Sequence, residues 1–392
     1  MSILSKVKLP GGKDKFSIGL DIGTQLIKSV KLKINGNSTE LVAFDVEESQ
    51  LDPIEVLKKI KRVQNAELVN ISFCGSSTVI RYVNFLRMTK SELRQALKFE
   101  AQKHIPFSLE EVYLDAEILK DDLPDNKMLV LIAALKKEFI EQRLKSLEGA
   151  GLRPHIVDID SLALINAFNF NYPKVEVAEH KSICLLNIGS TISNVNIIEN
   201  ATPRLSRDIL AGGANFTKKL MDIFNIDFKT AEELKLQPEG GGLASGSQSH
   251  KPEGGGLASG SQSHKPEGGG LVSGSQSHKP EGGGLVSDKT EGAERVNKVK
   301  ASVESVLTNL ALEIRTSFDY YESQNNSNVV KIFLSGGGSK ITGLKEMLAS
   351  SLGIEVEFWD PFKQIKINDK LDDAKLNKFA SLFNVAVGLA LR

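Results

Sequence analysis

Two stretches decide how this chain is read: Ile18-Gly19-Leu20-Asp21-Ile22-Gly23-Thr24-Gln25-Leu26-Ile27-Lys28, and its echo Leu185-Leu186-Asn187-Ile188-Gly189-Ser190-Thr191. Each is an apolar run that breaks at a glycine and a hydroxyl residue and then resumes, over 16–22 and 26–34 in the first copy and 182–188 and 193–199 in the second. The pattern predicts two strands around a tight turn, made twice. A third glycine turn, Ser335-Gly336-Gly337-Gly338, follows an apolar strand at 329–334. Glycine allows backbone N–H groups to approach a ligand closely, and hydroxyls add donors, so the turns suit phosphate. In the first two a strand follows the glycine, which separates them from a Walker loop or a dinucleotide turn, where a helix follows. Lys28 shares a pleat face with Leu26, Val30, Leu32 and Ile34, where a charge needs an anionic partner.

Outward from these turns the chain alternates strands and helices. Thr89-Lys90-Ser91-Glu92 is a capping box that opens a helix with Leu93, Leu97 and Ala101 on one side, ended by Pro106. Strands are predicted at 112–119 and 127–134, and a second helix carries Ile140, Leu144 and Leu147 and stops at Gly149 and Gly151. Together they predict a compact unit over 77–151. In the second half, helices are predicted at 215–224 and at 230–236, the latter opened by a capping box, Thr230 to Glu233. Val296, Val299, Val303, Val306, Leu310, Ile314, Phe318 and Tyr321 mark one long amphipathic helix of roughly 40 Å. Thr342 is expected to cap a helix ending at Gly353, followed by a strand at 354–358 and a closing helical segment at 377–391.

One segment stands apart. Pro238, Pro252, Pro266 and Pro280 begin near-identical 14-residue units, and 238–287 holds 15 of the 33 glycines, so stacked units would bury almost nothing. The segment reads as a disordered Gly/Ser-rich insertion; its His250, His264 and His278 recur once per unit and would have to close large loops to share a metal, with no carboxylate or cysteine held beside them. Elsewhere, composition excludes several classes. Lys plus Arg equals Asp plus Glu, 49 each, which argues against a nucleic-acid surface. Two cysteines, Cys74 and Cys184, give no disulfide framework and are expected in the core of apolar strands. The longest apolar run, 128–135, is too short to span a bilayer, and the N-terminus lacks a secretory apolar block. A cytoplasmic protein is the expectation. His104 and His155 read as surface or capping residues, and Trp359 as packing.

Taken in order, the three glycine turns on duplicated strand pairs resemble the actin-like ATPase superfamily. Within it, the chain is similar to the PilM family of type IV pilus assembly proteins. The stretches that carry the resemblance include Ile18 to Thr24, Leu97 to Ala101 with His104 to Phe107, Leu147 to Leu152, Ala231 to Lys235, Glu313 to Arg315 with Asp319 and Tyr320, and Leu334 to Gly338. The resemblance implies an α/β, actin-like two-domain ATPase fold with duplicated mixed sheets and a small inserted α+β subdomain. The expected divisions are a flexible arm at 1–15, a first half at 16–76 and 152–180, the insert at 77–151, and a second half at 181–392 with an upper subdomain at 212–328.

It also implies a site for ATP and magnesium. Asp21, Gly23, Thr24 and Lys28 would serve the first phosphate loop, Asn187, Gly189, Ser190 and Thr191 the second. Gly212 and Gly213 would border the nucleotide, Glu233 and Lys235 would approach ribose and adenine, and Gly336 and Gly337 would pass beneath the adenine. Asp21 and Asn187 would meet the magnesium through water. Asn187 departs from the aspartate usual in the superfamily, so hydrolysis is expected to be weak or absent. Asp158 and Asp160 lie where relatives position the attacking water, although Asp160 reads first as a helix N-cap. The implied partner is the cytoplasmic N-terminal peptide of a PilN-like inner-membrane protein, docked beside the insert, with other inner-membrane platform proteins and a homo-oligomer as further partners and the membrane reached only through them. The alternatives are an FtsA-like division protein, whose C-terminal amphipathic anchor is expected to be missing after Arg392, and a small-molecule kinase, for which 77–151 offers no acceptor-site carboxylate motif.

Overall fold

The computed structural model describes residues 15–36, 38–49, 52–65, 67–173, 181–237 and 287–392, with 287–293 described by backbone alone. The expected arm and the repeat fall outside the described residues except for their last positions, 15 and 287.

In the first half, β1 (Lys15–Ile22), β2 (Leu26–Asn35) and β3 (Ser38–Glu48) form an antiparallel meander. α1 (Pro53–Gln64) starts where Asp52 accepts from the Ile54 N–H and Pro53 needs no partner, and it leads into β4 (Leu68–Phe73), parallel to β1. Next come β5 (Thr78–Leu86), α2 (Lys90–Ala101), β6 (Val112–Leu123) and β7 (Lys127–Lys136). They are followed by α3 (Lys137–Gly149), β8 (Arg153–Ile159) and α4 (Asp160–Asn171), which leads to the second half.

There β9 (Lys181–Ile188), β10 (Ser193–Glu199) and β11 (Thr202–Ile209) repeat the meander. α5 (Gly213–Phe224), α6 (Phe228–Leu236), α7 (Ser287–Gln324), β12 (Asn328–Ser335), α8 (Leu344–Leu352) and β13 (Glu355–Phe358) follow. The chain then makes β14 (Lys366–Ile367), α9 (Asp373–Phe379) and α10 (Asn384–Ala390). The sheet orders are β14-β3-β2-β1-β4-β8, β11-β10-β9-β12-β13 and β5-β7-β6. Without β14, the two large sheets have the same order and directions, so the duplication read from the turns is a duplication of whole sheets.

Among the described residues three apolar cores result. The insert has its own, from Leu93, Leu97 and Ala101 on α2 against Met128, Val130 and Ile132 on β7. Its α2 opens with the expected capping box at Thr89 and Glu92. α3 behaves differently: its Ile140 and Leu147 enter the first-half core with Leu57 and Ile60 of α1. The last part of the chain also joins the first half, since β14 pairs with β3 and α10 packs on β1 and α4. That packing is close enough to forbid side chains. A Cβ on Gly19 would lie 1.8 Å from the Ala386 carbonyl oxygen, and one on Gly388 would lie 1.8 Å from that of Ala163. The chain therefore crosses between the halves after α4 and returns between β13 and β14, and α10 closes over the first sheet.

Some local expectations give way. α6 begins two residues early because Asp227, rather than Thr230, caps it, accepting from the Thr230 N–H at 2.8 Å. α8 has Gly343 at its cap, with φ +75°, and the Thr342 hydroxyl donates instead to the Leu236 carbonyl at 2.7 Å. The closing segment is broken by a 3-10 turn at Ala380–Leu382. Cys184 is buried in β9, as expected, whereas Cys74 lies just past the end of β4 and is half-buried. Trp359 packs edge-on against Phe168.

Candidate functional site

The first two glycine turns close in the same way. The Gly23 N–H donates to the Leu26 carbonyl at 3.1 Å, and the Gly189 N–H to the Ile192 carbonyl at 2.9 Å. A Cβ at Gly23 would sit 2.9 Å from the Leu26 oxygen and one at Gly189 would sit 2.7 Å from that of Ile192, so neither turn admits a side chain. The turns come from opposite halves and meet at their tips, where the Thr24 and Thr191 hydroxyls are 3.4 Å apart.

The third turn lies against the second. Gly336 has φ +89°, and a Cβ there would be 2.4 Å from the Ile188 carbonyl oxygen and 2.8 Å from Asn187 Oδ1. Beside it, Gly337 faces Leu382. The first turn of α5 closes the same cradle: the Gly213 N–H donates to the Gly189 carbonyl and the Ala214 N–H to that of Ser190, both at 2.8 Å. A Cβ on Gly212 would meet both of those carbonyl oxygens at 2.6 Å. Gly189, Ser190, Gly212, Gly213, Gly336 and Gly337 are thus one continuous backbone surface.

Charge gathers at the first turn. Asp21 and Lys28 face each other across the β1–β2 pair, and Lys28 Nζ is 2.7 Å from Asp21 Oδ2. This is the anionic partner that a lysine on a pleat face requires. Asp160 is not the N-cap; Ile159 holds that position without a side-chain bond. The Asp160 carboxyl instead lies near Ser72, Cys74 and Asp21, and burial, with the Asp21 charge adding to it, pushes its pKa up to about 6. Arg143, on α3, donates to the Ile22 carbonyl at 3.4 Å and stacks over Phe73 at 5.3 Å. Burial lowers its pKa, opposed by Asp160 and Asp21. No local motif marks Arg143, and the sequence reading passed over it. The Cys74 thiol is pushed far above the ordinary range by burial, which keeps it protonated and unreactive. Asp158 is fully buried and paired with Arg392 at 2.6 Å.

On the other side of the cleft Asn187 donates to Asn194 Oδ1 at 2.9 Å and accepts from the Ser335 hydroxyl at 3.3 Å. Lys235 reaches the base of the cradle with its protons committed to the protein. Nζ donates to Glu232 Oε1 at 2.5 Å, Thr217 Oγ1 at 2.8 Å and the Gly213 carbonyl at 3.4 Å, and burial lowers its pKa. Glu233, on the same helix, is exposed. Among the described residues, no group of three or more His, Cys, Asp or Glu is arranged to hold a metal, and no helix is long and apolar enough to cross a membrane.

The insert meets the second half next to this cleft. The Tyr82 hydroxyl on β5 and the Ser206 hydroxyl on β11 are 2.9 Å apart, beside a cavity of about 260 Å³ lined by Thr78, Arg81, Ser161, Arg207 and Asp208.

The chain matches a known family along most of its length. The family described as type IV pilus assembly protein PilM matches residues 19–242 and 297–392. Among solved structures, the chain is similar to the PilM–PilN type IV pilus biogenesis complex, with a TM-score of 0.73 and 21% identity over 96% of this chain and 98% of that one. It is also similar to the ethanolamine utilization protein EutJ from Carboxydothermus hydrogenoformans, with a TM-score of 0.44 and 15% identity over 98% and 90% of the two chains. For the Acidaminococcus fermentans (R)-2-hydroxyglutaryl-CoA dehydratase component A the TM-score is 0.42 and the identity 12%, over 96% of each chain. With most of its length matched by the family and its fold shared with a PilM chain, this protein belongs to the PilM family of type IV pilus assembly proteins.

Proposed function

We propose that this protein is an ATP-binding scaffold of type IV pilus assembly, which recruits an inner-membrane partner by holding that partner's PilN-type cytoplasmic peptide beside the insert. One observation carries the nucleotide part: three glycine turns, drawn from both halves, converge on one cradle, with the Thr24 and Thr191 hydroxyls 3.4 Å apart across it.

In this reading the first turn, with Thr24 and Lys28, takes the terminal phosphates. The open backbone N–H and hydroxyl groups of the second turn take the phosphates from the other side. The base and ribose lie toward Gly213 and Gly336, and Glu233, the exposed acid of α6, serves the ribose. Lys28 is already held by Asp21, so a phosphate competes with that carboxylate for the ammonium. Magnesium commonly keeps several waters and binds one or two carboxylates plus phosphate oxygens. Asp21 and Asp160 fit that demand, and the ion would supply neutralising charge to the phosphates. At neutral pH Asp160 is ionised and accepts hydrogen bonds from water at the α4 end of the cleft. Asn187 brings no charge to the opposite side, so turnover is slow.

Calorimetric titration with ATP and magnesium tests the site. The intact protein binds, and Asp21→Ala weakens affinity roughly tenfold or more, because the carboxylate that would meet the magnesium is lost. Equal affinity in both proteins contradicts the assignment. In parallel, an immobilised PilN-type N-terminal peptide retains the intact chain, and no retention contradicts the scaffold reading.

A further inference from the structure

Asp208, on β11, is a half-buried carboxylate that the nucleotide reading leaves without a task. One of its oxygens accepts from the Gly75 N–H at 2.6 Å, across the boundary between the halves, at the root of the insert. The other accepts from Asn194 Nδ2 at 2.8 Å, Asn194 Oδ1 accepts from Asn187 Nδ2 at 2.9 Å, and Asn187 Oδ1 accepts from Ser335 at 3.3 Å. Asn194 is 2% exposed. With Asp208 ionised, the direction of this chain is fixed. An ionised carboxylate only accepts, so Asn194 must turn its amide nitrogen to Asp208 and its oxygen to Asn187. Asn187 must then donate, which an aspartate at 187 cannot do.

We propose that Asn187, Asn194 and Asp208 are a positioning relay that holds the second half's negative charge at Asp208, two side chains away from the glycine turn, and presents a neutral amide there. The relay ties the second turn to Gly75 and so to the root of the insert. Its polarity is reversible in one way only. With Asp at 187 and Asn at 208, Asn194 flips: its nitrogen donates to 187, its oxygen accepts from 208, and residue 208 still accepts from the Gly75 N–H. Asp at 187 with Asp208 retained leaves two acceptor-only groups competing for one amide.

The test is a double-mutant cycle on the full chain, read by thermal melting and by ATP titration without magnesium. Asn187→Asp lowers the melting temperature by about 5 °C or more, through an unpaired buried acceptor beside a like charge. Adding Asp208→Asn to that variant restores most of the loss, or restores soluble protein if the single variant fails to fold. An Asn187→Asp variant as stable as the parent, or a double variant no better than the single, overturns the relay. The second readout rests on the nucleotide reading. The refolded double variant carries its charge at 187 and binds metal-free ATP at least about tenfold more weakly than the parent, by repulsion at short range. Unchanged metal-free affinity overturns the claim that the relay keeps charge away from the phosphates. If the parent protein binds no ATP, the nucleotide reading has failed, and the melting cycle alone decides the relay.

Discussion

Asp160 begins α4 with its carboxyl near Ser72, Cys74 and Asp21, and burial raises its pKa from the ordinary 3.8 to about 6. The folded chain therefore holds this proton between about pH 4 and about pH 6, where the unfolded chain has released it. Stability contributed by Asp160 falls as pH rises through that window. Asp160→Asn removes the effect: its stability, by chemical denaturation, declines less over pH 4 to 6 than that of the parent, and at pH 7 it is the more stable protein by about 2 kcal/mol. Parallel pH curves for the two proteins contradict this. At this scale the sequence was legible where partners are near neighbours in a hairpin. Asp21 and Lys28 stand opposite each other because a short turn joins their strands. Arg143 and Asp208 escaped notice because their bonds reach Ile22 and Gly75, 121 and 133 residues away. Asp160 looked like a cap because the residue before a helical run so often is one; its carboxyl is drawn instead to the groups at the end of β4.

Among the elements, α10 is the one whose place follows from missing side chains. Gly388 lies against the Ala163 backbone of α4 and Gly19 against that of α10, so two glycines fix how the returning helix crosses the first sheet. Gly388→Val forces backbone apart and costs more than about 2 kcal/mol in urea unfolding, whereas Gly353→Ala costs less, because no atom lies within 4 Å of a Cβ there and only its φ of +66° opposes the change. Comparable losses from both would show that the α10 contact is not close-packed. The insert allows a sharper test than its sequence boundaries did. Since α3 belongs to the first core and Thr78 pairs with Leu135, the ends of 78–135 are adjacent and join through a short linker. That deletion spares ATP binding and abolishes retention on a PilN-type peptide; retention by the shortened chain moves the docking site elsewhere. The strands that flank the glycine turns were legible, because β1, β9 and β10 are nearly continuous buried runs and β2 alternates buried with half-buried positions. β3 and β11 were not: they mix charges with apolar residues, and β11 is only half-buried until Ile209.

For the molecule as a whole, duplication explains the site. Two sheets of the same order place equivalent turns at the same end of each half, and the turns meet where the Thr24 and Thr191 hydroxyls face each other. The third turn leaves β12, which pairs with β9, so it can only arrive beside the second. A nucleotide held there would touch both halves and be linked, through the side chains of Asn187, Asn194 and Asp208, to Gly75 at the root of the insert. The convergence of segments remote in sequence is the central claim, and amide hydrogen exchange of the full protein with and without saturating ATP and magnesium tests it most directly. The predicted result is that ATP slows exchange together at 21–26, 189–192, 212–214 and 336–340. Protection confined to a single turn, or absent from all of them, would contradict a shared cradle.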